Sequence, residues 1–174
     1  MRILITGGSG SGKSTFAENL TMQLPCPYYY IATMRPYDEE CLKKIDRHRR
    51  LRAEKAFITI EQHTDLQQIE LQERGGTALL ECMCNLTANE LFDEQGNLLP
   101  AYDKILEGIE HLEKLFDHLL VVTNDVGSDI CRYDEGTMEY IHTLGKLNQT
   151  LANRFDQVFE VVCGIPLLQK GKEI

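Results

Sequence analysis

The sequence predicts an α/β fold: a mostly parallel sheet with helices on both faces. Three features carry this. Short apolar runs alternate with longer stretches of helical spacing along the 174 residues, the pattern of strand–helix–strand units. Runs such as "ALLEC" and "LLVVT" are apolar throughout, as parallel strands covered on two faces require. The first run breaks into a glycine-rich turn that opens directly into a helix-like segment, "ITGGSGSGKSTFAENL".

Taken in chain order, strand-like runs fall at 2–6, 28–32, 56–60, 78–82, 119–123 and 157–162, rich in Ile, Leu, Val and Tyr. Helical spacing of apolar residues covers 14–24, 38–52, 66–74, 102–118 and 137–155. The stretch "FDEQGNLLPAYD", 92–103, predicts a turn-rich loop, and "QKGKEI" at the end a solvated tail. No internal repeat interrupts the series, and one domain over 1–174 is expected.

Apolar content of 43% and charged content of 26% are ordinary globular values. A formal charge of −9 argues against a nucleic-acid binder, which needs a positive field to attract phosphates. No apolar run has the length of a membrane span. "MRILITGG" has too short an apolar stretch for a signal peptide. A cytoplasmic location is therefore expected. The six cysteines are expected as free thiols. Cys82-Met83-Cys84 lacks a second ligand pair at zinc spacing and reads as buried small apolar side chains.

The spacing Gly7–x4–Gly12–Lys13–Ser14 fits the P-loop pattern. Gly7, Gly8, Gly10 and Gly12, with Ser9 and Ser11 between them, let the backbone curl until several N–H groups point at one anion. The helix that follows adds the positive end of its dipole. Lys13 can reach the β- and γ-phosphates, and the Ser14 hydroxyl can ligate Mg²⁺. Such a site also needs an acid at the tip of a neighbouring strand. "TALLE" ends in Glu81 and "LLVVTND" in Asp125. Both carboxylates emerge at the edge of a parallel sheet where the loop lies. Glu81 is the first candidate for the metal side and Asp125 the second, a helix cap being the alternative for either.

The segment "DEECLKKIDRHRRLRAEK" is unusual in an acidic protein. On a helix Lys44, His48 and Arg52 share one face. Two readings stay open on spacing alone. Acids first and bases last complement the helix dipole; equally, the bases form a cationic strip for a triphosphate around a neutral, nucleophilic imidazole.

Beyond these motifs, "YYIAT" at 29–33, "LLECMCNLTANELF", "VVTNDVG" and "LGKLNQTLANRFDQVFEVVCGIP" follow in order. The chain thereby resembles the bifunctional adenosylcobinamide kinase/adenosylcobinamide-phosphate guanylyltransferase family of cobalamin biosynthesis. The resemblance implies a RecA-like P-loop NTPase fold and a homotrimer. It implies two reactions: phosphorylation of the aminopropanol hydroxyl of adenosylcobinamide, and transfer of GMP from GTP through a histidine to the phosphorylated product. GTP and ATP become the expected substrates, Mg²⁺ the expected cofactor, and adenosylcobinamide the expected partner. The family pattern Arg-Ile-x-x-His-x-x-x-Arg is met by Lys44-Ile45-Asp46-Arg47-His48-Arg49-Arg50-Leu51-Arg52. His48 thus inherits the guanylylated position, with Lys44, Arg49 and Arg52 beside the phosphates. Glu81 matches the family's acid before cysteine, Asn89 an asparagine beyond it, and Glu61 a glutamate after the basic helix.

The chain also departs from the pattern. Where the family reads Val-Thr-Asn-Glu-Val-Gly-x-Gly-Ile-Val-Pro, this sequence has "VTNDVGSDICR", with Asp125, Asp129 and Arg132 as the changes. A following arginine-rich stretch is "MEYIHTLG" here. Nucleotide-binding residues are intact, whereas the acceptor side is altered. A P-loop kinase for another small alcohol, or a nucleotide-dependent binding protein, are the rival readings.

Overall fold

The computed structural model describes residues 1–36, 55–126 and 133–172. Its framework is a seven-stranded sheet. The strands are β1 (Arg2–Thr6), β2 (Tyr28–Ala32), β3 (Phe57–Glu61), β4 (Thr77–Glu81), β5 (His118–Val122), β6 (Gln157–Val162) and β7 (Ile165–Lys170). Their order is β3-β2-β4-β5-β1-β6-β7. All neighbours pair in parallel except β6 and β7.

Alternation along the strands sends side chains to two faces. Ile3, Ile5, Leu79, Leu120 and Val122 pack with Ala17 and Leu20 of helix α1 (Lys13–Thr21). Leu4, Leu80, Leu119 and Val121 face the other way. There they meet α2 (Met83–Leu91), α3 (Tyr102–Leu115) and α4 (Glu135–Arg154), through residues such as Leu86, Ile109 and Leu147. Helices therefore cover both faces, as predicted. Among the described residues no helix is long and apolar enough to cross a membrane.

Four expectations need correction. The helix expected at 66–74 is only a 3-10 turn, Leu66–Gln68. Leu66 and Ile69 are buried, and Leu66 fits against Gly108 of α3, where an added Cβ would lie 2.8 Å from the Leu66 Cβ. The helix expected to run to 118 stops at Leu115, because His118 already belongs to β5. Helix α2 was not anticipated. Met83, Cys84, Leu86, Thr87, Asn89, Glu90 and Leu91 are all buried in it, so it has no polar face to mark its period. The segment expected as a solvated tail is exposed over 169–172, but its first two residues, Gln169 and Lys170, belong to the hairpin strand β7. Lys170 Nζ donates to the carbonyls of Ala152, Asn153 and Phe155 at 2.7–2.9 Å, completing the end of α4. The basic segment 38–52 lies outside the described residues.

Candidate nucleotide site

The parallel strands all end at one edge of the sheet, and the order reverses about β1, where a ligand crevice is expected in such folds. The glycine loop fills that position. Gly7 sits at φ 153 with no room for a side chain, because a Cβ would stand 2.5 Å from the Val161 carbonyl oxygen. Gly12 caps α1 in the left-handed region, φ 92. The loop is closed by Ser11 N–H donating to the Gly8 carbonyl at 3.2 Å and anchored by Gly164 N–H donating to the Ser11 carbonyl at 2.8 Å. Lys13, the first residue of α1, is buried, and its Nζ donates to the Gly8 carbonyl at 3.0 Å. The lysine thus lies folded against the loop whose phosphate it is expected to contact.

Glu81 stands at the tip of β4, one strand beyond the neighbour of β1. The Ser14 hydroxyl donates to its Oε1 at 2.5 Å, and the Tyr30 hydroxyl to its Oε2 at 3.1 Å. Two hard oxygen donors on adjoining elements suit a magnesium ion's preferences. Sequence reasoning paired Ser14 with Glu81 but missed Tyr30. A tyrosine in an apolar strand carries no local sign that its hydroxyl is needed at the next strand's tip.

The rest of the edge is held by a cross-linked set of loops. The Glu81–Cys82 peptide is cis. Cys82 N–H donates to Thr33 Oγ1 and Thr33 Oγ1 donates to the Cys82 carbonyl, both at 2.8 Å. Asn89, buried in α2, donates from Nδ2 to the carbonyls of Thr33 and His63 at 2.8 and 2.9 Å. It therefore ties together the loops that follow β2 and β3. Glu61 closes β3 in register with Ala32, which in turn pairs with Glu81. Two strand spacings, about 10 Å, separate the two acids along one row.

Behind Glu81, the Cys82 and Cys84 thiols hydrogen-bond to each other. This contact and burial push the Cys82 thiol well up. Cys84 is drawn down to about 7 by the same contact, with help from the Asn124 backbone and the Tyr140 side chain. Cys84 is buried, as its apolar reading expected, while Cys26 and Cys163 are exposed.

Asp125 follows β5 and is exposed. It lines one pocket together with Gly7, Gly8, Ser9, Gly10 and Ser11 of the glycine loop. The structure therefore brings together Gly7, Gly8, Ser9, Gly10, Ser11, Gly12, Lys13, Ser14 and Glu81. Glu61 stands further along the same edge. Lys44, His48, Arg49 and Arg52 fall outside the described residues, as do Asp129 and Arg132.

The model of a family described as cobinamide kinase / cobinamide phosphate guanyltransferase matches residues 3–168. A Pseudomonas aeruginosa protein named bifunctional adenosylcobalamin biosynthesis protein CobP is 30% identical over 176 residues, covering the whole of both chains. An Escherichia coli K12 protein named bifunctional adenosylcobalamin biosynthesis protein CobU is 31% identical over 178 residues, covering 95% of this chain and 97% of its own. A solved chain, the P4 protein from bacteriophage phi6 in complex with ADP, aligns with a TM-score of 0.45 at 11% identity. That alignment covers 95% of this chain and 52% of the phage protein.

Proposed function

The chain belongs to the cobinamide kinase / cobinamide phosphate guanyltransferase family, and from that premise we propose how its residues divide the two reactions. It is a P-loop enzyme of cobalamin biosynthesis, acting on a nucleoside triphosphate and on cobinamide. The observation that carries the assignment of residues is the contact between Ser14 and Glu81 beneath the glycine loop.

In the kinase step the amides from Gly7 to Ser14 bind the triphosphate, and Lys13 moves from the Gly8 carbonyl to the β- and γ-phosphates. Ser14 and Glu81 would hold Mg²⁺, which would supply positive charge against the phosphate oxygens. The acceptor hydroxyl oxygen bonds to the γ-phosphorus as the bond to the β–γ bridging oxygen breaks, and the hydroxyl proton passes to the Asp125 carboxylate. Tyr30 keeps Glu81 oriented by occupying its second oxygen.

In the transferase step neutral His48 attacks the α-phosphorus of GTP and pyrophosphate leaves. Lys44, Arg49 and Arg52 offset the charge of the departing group. A phosphate oxygen of adenosylcobinamide phosphate then attacks the phosphorus on the imidazole, giving adenosylcobinamide-GDP and free histidine. Glu61 receives a hydroxyl of the bound nucleotide. A homotrimer and a cytoplasmic location go with this reading; sedimentation analysis checks the first.

Labelled GTP separates the two halves. GTP carrying ³²P at the α-position should leave an acid-labile, base-stable adduct on the wild-type protein, and γ-labelled GTP should not. The His48→Ala variant should form no adduct while still phosphorylating adenosylcobinamide. An adduct on His48→Ala, or none on an active wild-type kinase, overturns the role of His48.

A further inference from the structure

Where the parallel ladder between β2 and β4 stops, a side chain carries the pairing one step further. The register ends with Ala32 opposite Glu81. The next residue, Thr33, is 0% exposed, and each of its polar groups is bonded. Its N–H donates to the Glu81 carbonyl at 3.1 Å. Its hydroxyl donates to the Cys82 carbonyl and accepts from the Cys82 N–H, both at 2.8 Å. Its carbonyl accepts from Nδ2 of Asn89 at 2.8 Å, and the same Nδ2 donates to the His63 carbonyl at 2.9 Å. The N–H and the hydroxyl thus clamp the tip of β4, while the carbonyl ties that clamp to α2.

A backbone ladder needs no particular side chain, whereas this clamp does. A hydroxyl can donate and accept through one atom, and Thr33 Oγ1 uses both capacities on Cys82. Valine has nearly the same shape and neither capacity, so it would leave a backbone donor and a backbone acceptor of Cys82 without this partner. Serine keeps both bonds and lacks only the methyl group. A hydroxyl shut away from water is unfavourable unless it is bonded, so a threonine at this position has to be matched to the β4 tip.

We propose that Thr33 is a positioning residue for the metal side of phosphoryl transfer: its clamp on the Glu81–Cys82 backbone fixes where the Glu81 carboxylate stands beneath the glycine loop. This role rests on the kinase reading above, in which Glu81 and Ser14 would hold Mg²⁺, and adds the residue that places the acid. The Glu81 side chain is aimed by Tyr30 and Ser14, whose hydroxyls donate to its two oxygens at 3.1 and 2.5 Å. Those bonds set the direction of the carboxylate, and only a fixed backbone sets its distance from the loop. Glu81 closes β4, the place where the strand's own ladder bonds run out. A functional side chain has to be held to within about 0.5 Å of its working position, and the Thr33 clamp supplies that restraint. Residues of this kind change metal affinity without touching the ion.

Mn²⁺ titrated into the full-length protein carrying a non-hydrolysable ATP analogue, with the free ion followed by its EPR signal, tests this without turnover. Thr33→Val should weaken Mn²⁺ binding about fivefold, Thr33→Ser less than about twofold, and Glu81→Gln at least about tenfold. The double variant Thr33→Val/Glu81→Gln should bind no more weakly than Glu81→Gln alone, because a positioning residue acts only through the group it positions. Urea unfolding of the same proteins separates positioning from plain destabilisation. A threonine with a structural role alone would lower the midpoint in Thr33→Val and leave Mn²⁺ affinity at the wild-type value, which overturns the proposal. A further loss of about fivefold in the double variant also overturns it, since Thr33 would then act by another route. Unchanged affinity in Glu81→Gln overturns the metal reading of Glu81 itself, and the role of Thr33 with it. If Thr33→Val fails to fold, Thr33→Ala takes its place in the cycle, its smaller side chain leaving room for a water on the Cys82 backbone. A loss of at least about threefold is expected there, and wild-type affinity overturns the role.

Discussion

Tyr30 and Gly7 show how single side chains, or their absence, define this site. Removing the Tyr30 hydroxyl leaves its ring in the core formed with Phe57 and Leu79, so Tyr30→Phe should melt like the wild type. Glu81 loses one of two hydrogen bonds, and kcat/KM for phosphoryl transfer should fall about three- to tenfold, near 1 kcal/mol. The deficit should narrow at high Mg²⁺ if the bond serves to orient the carboxylate; a kinase assay across magnesium concentrations checks both points. Gly7→Ala tests the loop itself. A methyl group there would lie 2.5 Å from the Val161 carbonyl and 2.7 Å from Ser11 Oγ, and backbone, not a flexible tip, must move. Nucleotide binding should weaken by more than about tenfold, with a stability loss of about 2 kcal/mol, measurable by titration and by urea unfolding.

At the scale of elements, legibility in the sequence followed how local each determinant is. The strands β1, β2 and β6 are readable because their apolar residues are contiguous, and the glycine loop because its conformation demands particular residues at fixed offsets. Helix α2 was illegible since burial on all sides erases its period. The 3-10 turn at Leu66–Gln68 looked like a helix because the apolar Leu66 and Ile69 stand three residues apart, while the chain's path is decided by α3. What fixes that path is an ion-pair cluster. Lys104 of α3 reaches Asp65 Oδ1 and Glu90 Oε2, both at 2.7 Å. The Asp65 N–H donates to Glu90 Oε1 at 2.6 Å, and the lysine's hydrogen bond holds the Asp65 carboxyl below its ordinary value. Glu90 is almost wholly buried, so Lys104→Met strands an anion in the core. The loss should be about 2 kcal/mol, seen as a lower urea midpoint with unchanged slope. Adding Glu90→Gln should restore part of it, since the neutral amide needs no counter-charge.

Across the whole molecule, β1 is the axis of the topology, and its threading makes stability depend on pH. Strand order was not legible in the sequence, because no local pattern says that β5 and β6 would flank β1. That pairing brings residue 1 beside residue 118. The Met1 ammonium donates to the Asp117 carbonyl at 3.0 Å and stands 3.2 Å from His118 Nδ1. A neutral imidazole can accept that proton, whereas a protonated one meets a second cation. Burial first, then the terminal charge and Arg2, lower His118 from 6.5, against the opposing pull of Asp117. Burial and Arg2 likewise lower the terminal amine from 8.0, against Asp156 and Asp117. For both groups the unfolded chain binds more protons than the folded one in the interval between folded and unfolded values, so stability rises with pH there. The contribution is complete above the unfolded values and lost as pH falls through the window below them. Carboxyls lowered from 3.8, such as Asp65, Asp93 and Asp134, lose their contribution only in the more acidic range and do not mask it. Melting temperature followed from about pH 5 to about pH 9 should therefore climb across the interval where His118 and the amine deprotonate. His118→Gln should flatten the lower part of the climb and leave the upper part. An unaltered profile in His118→Gln would show that the imidazole at this junction carries no proton-linked stability.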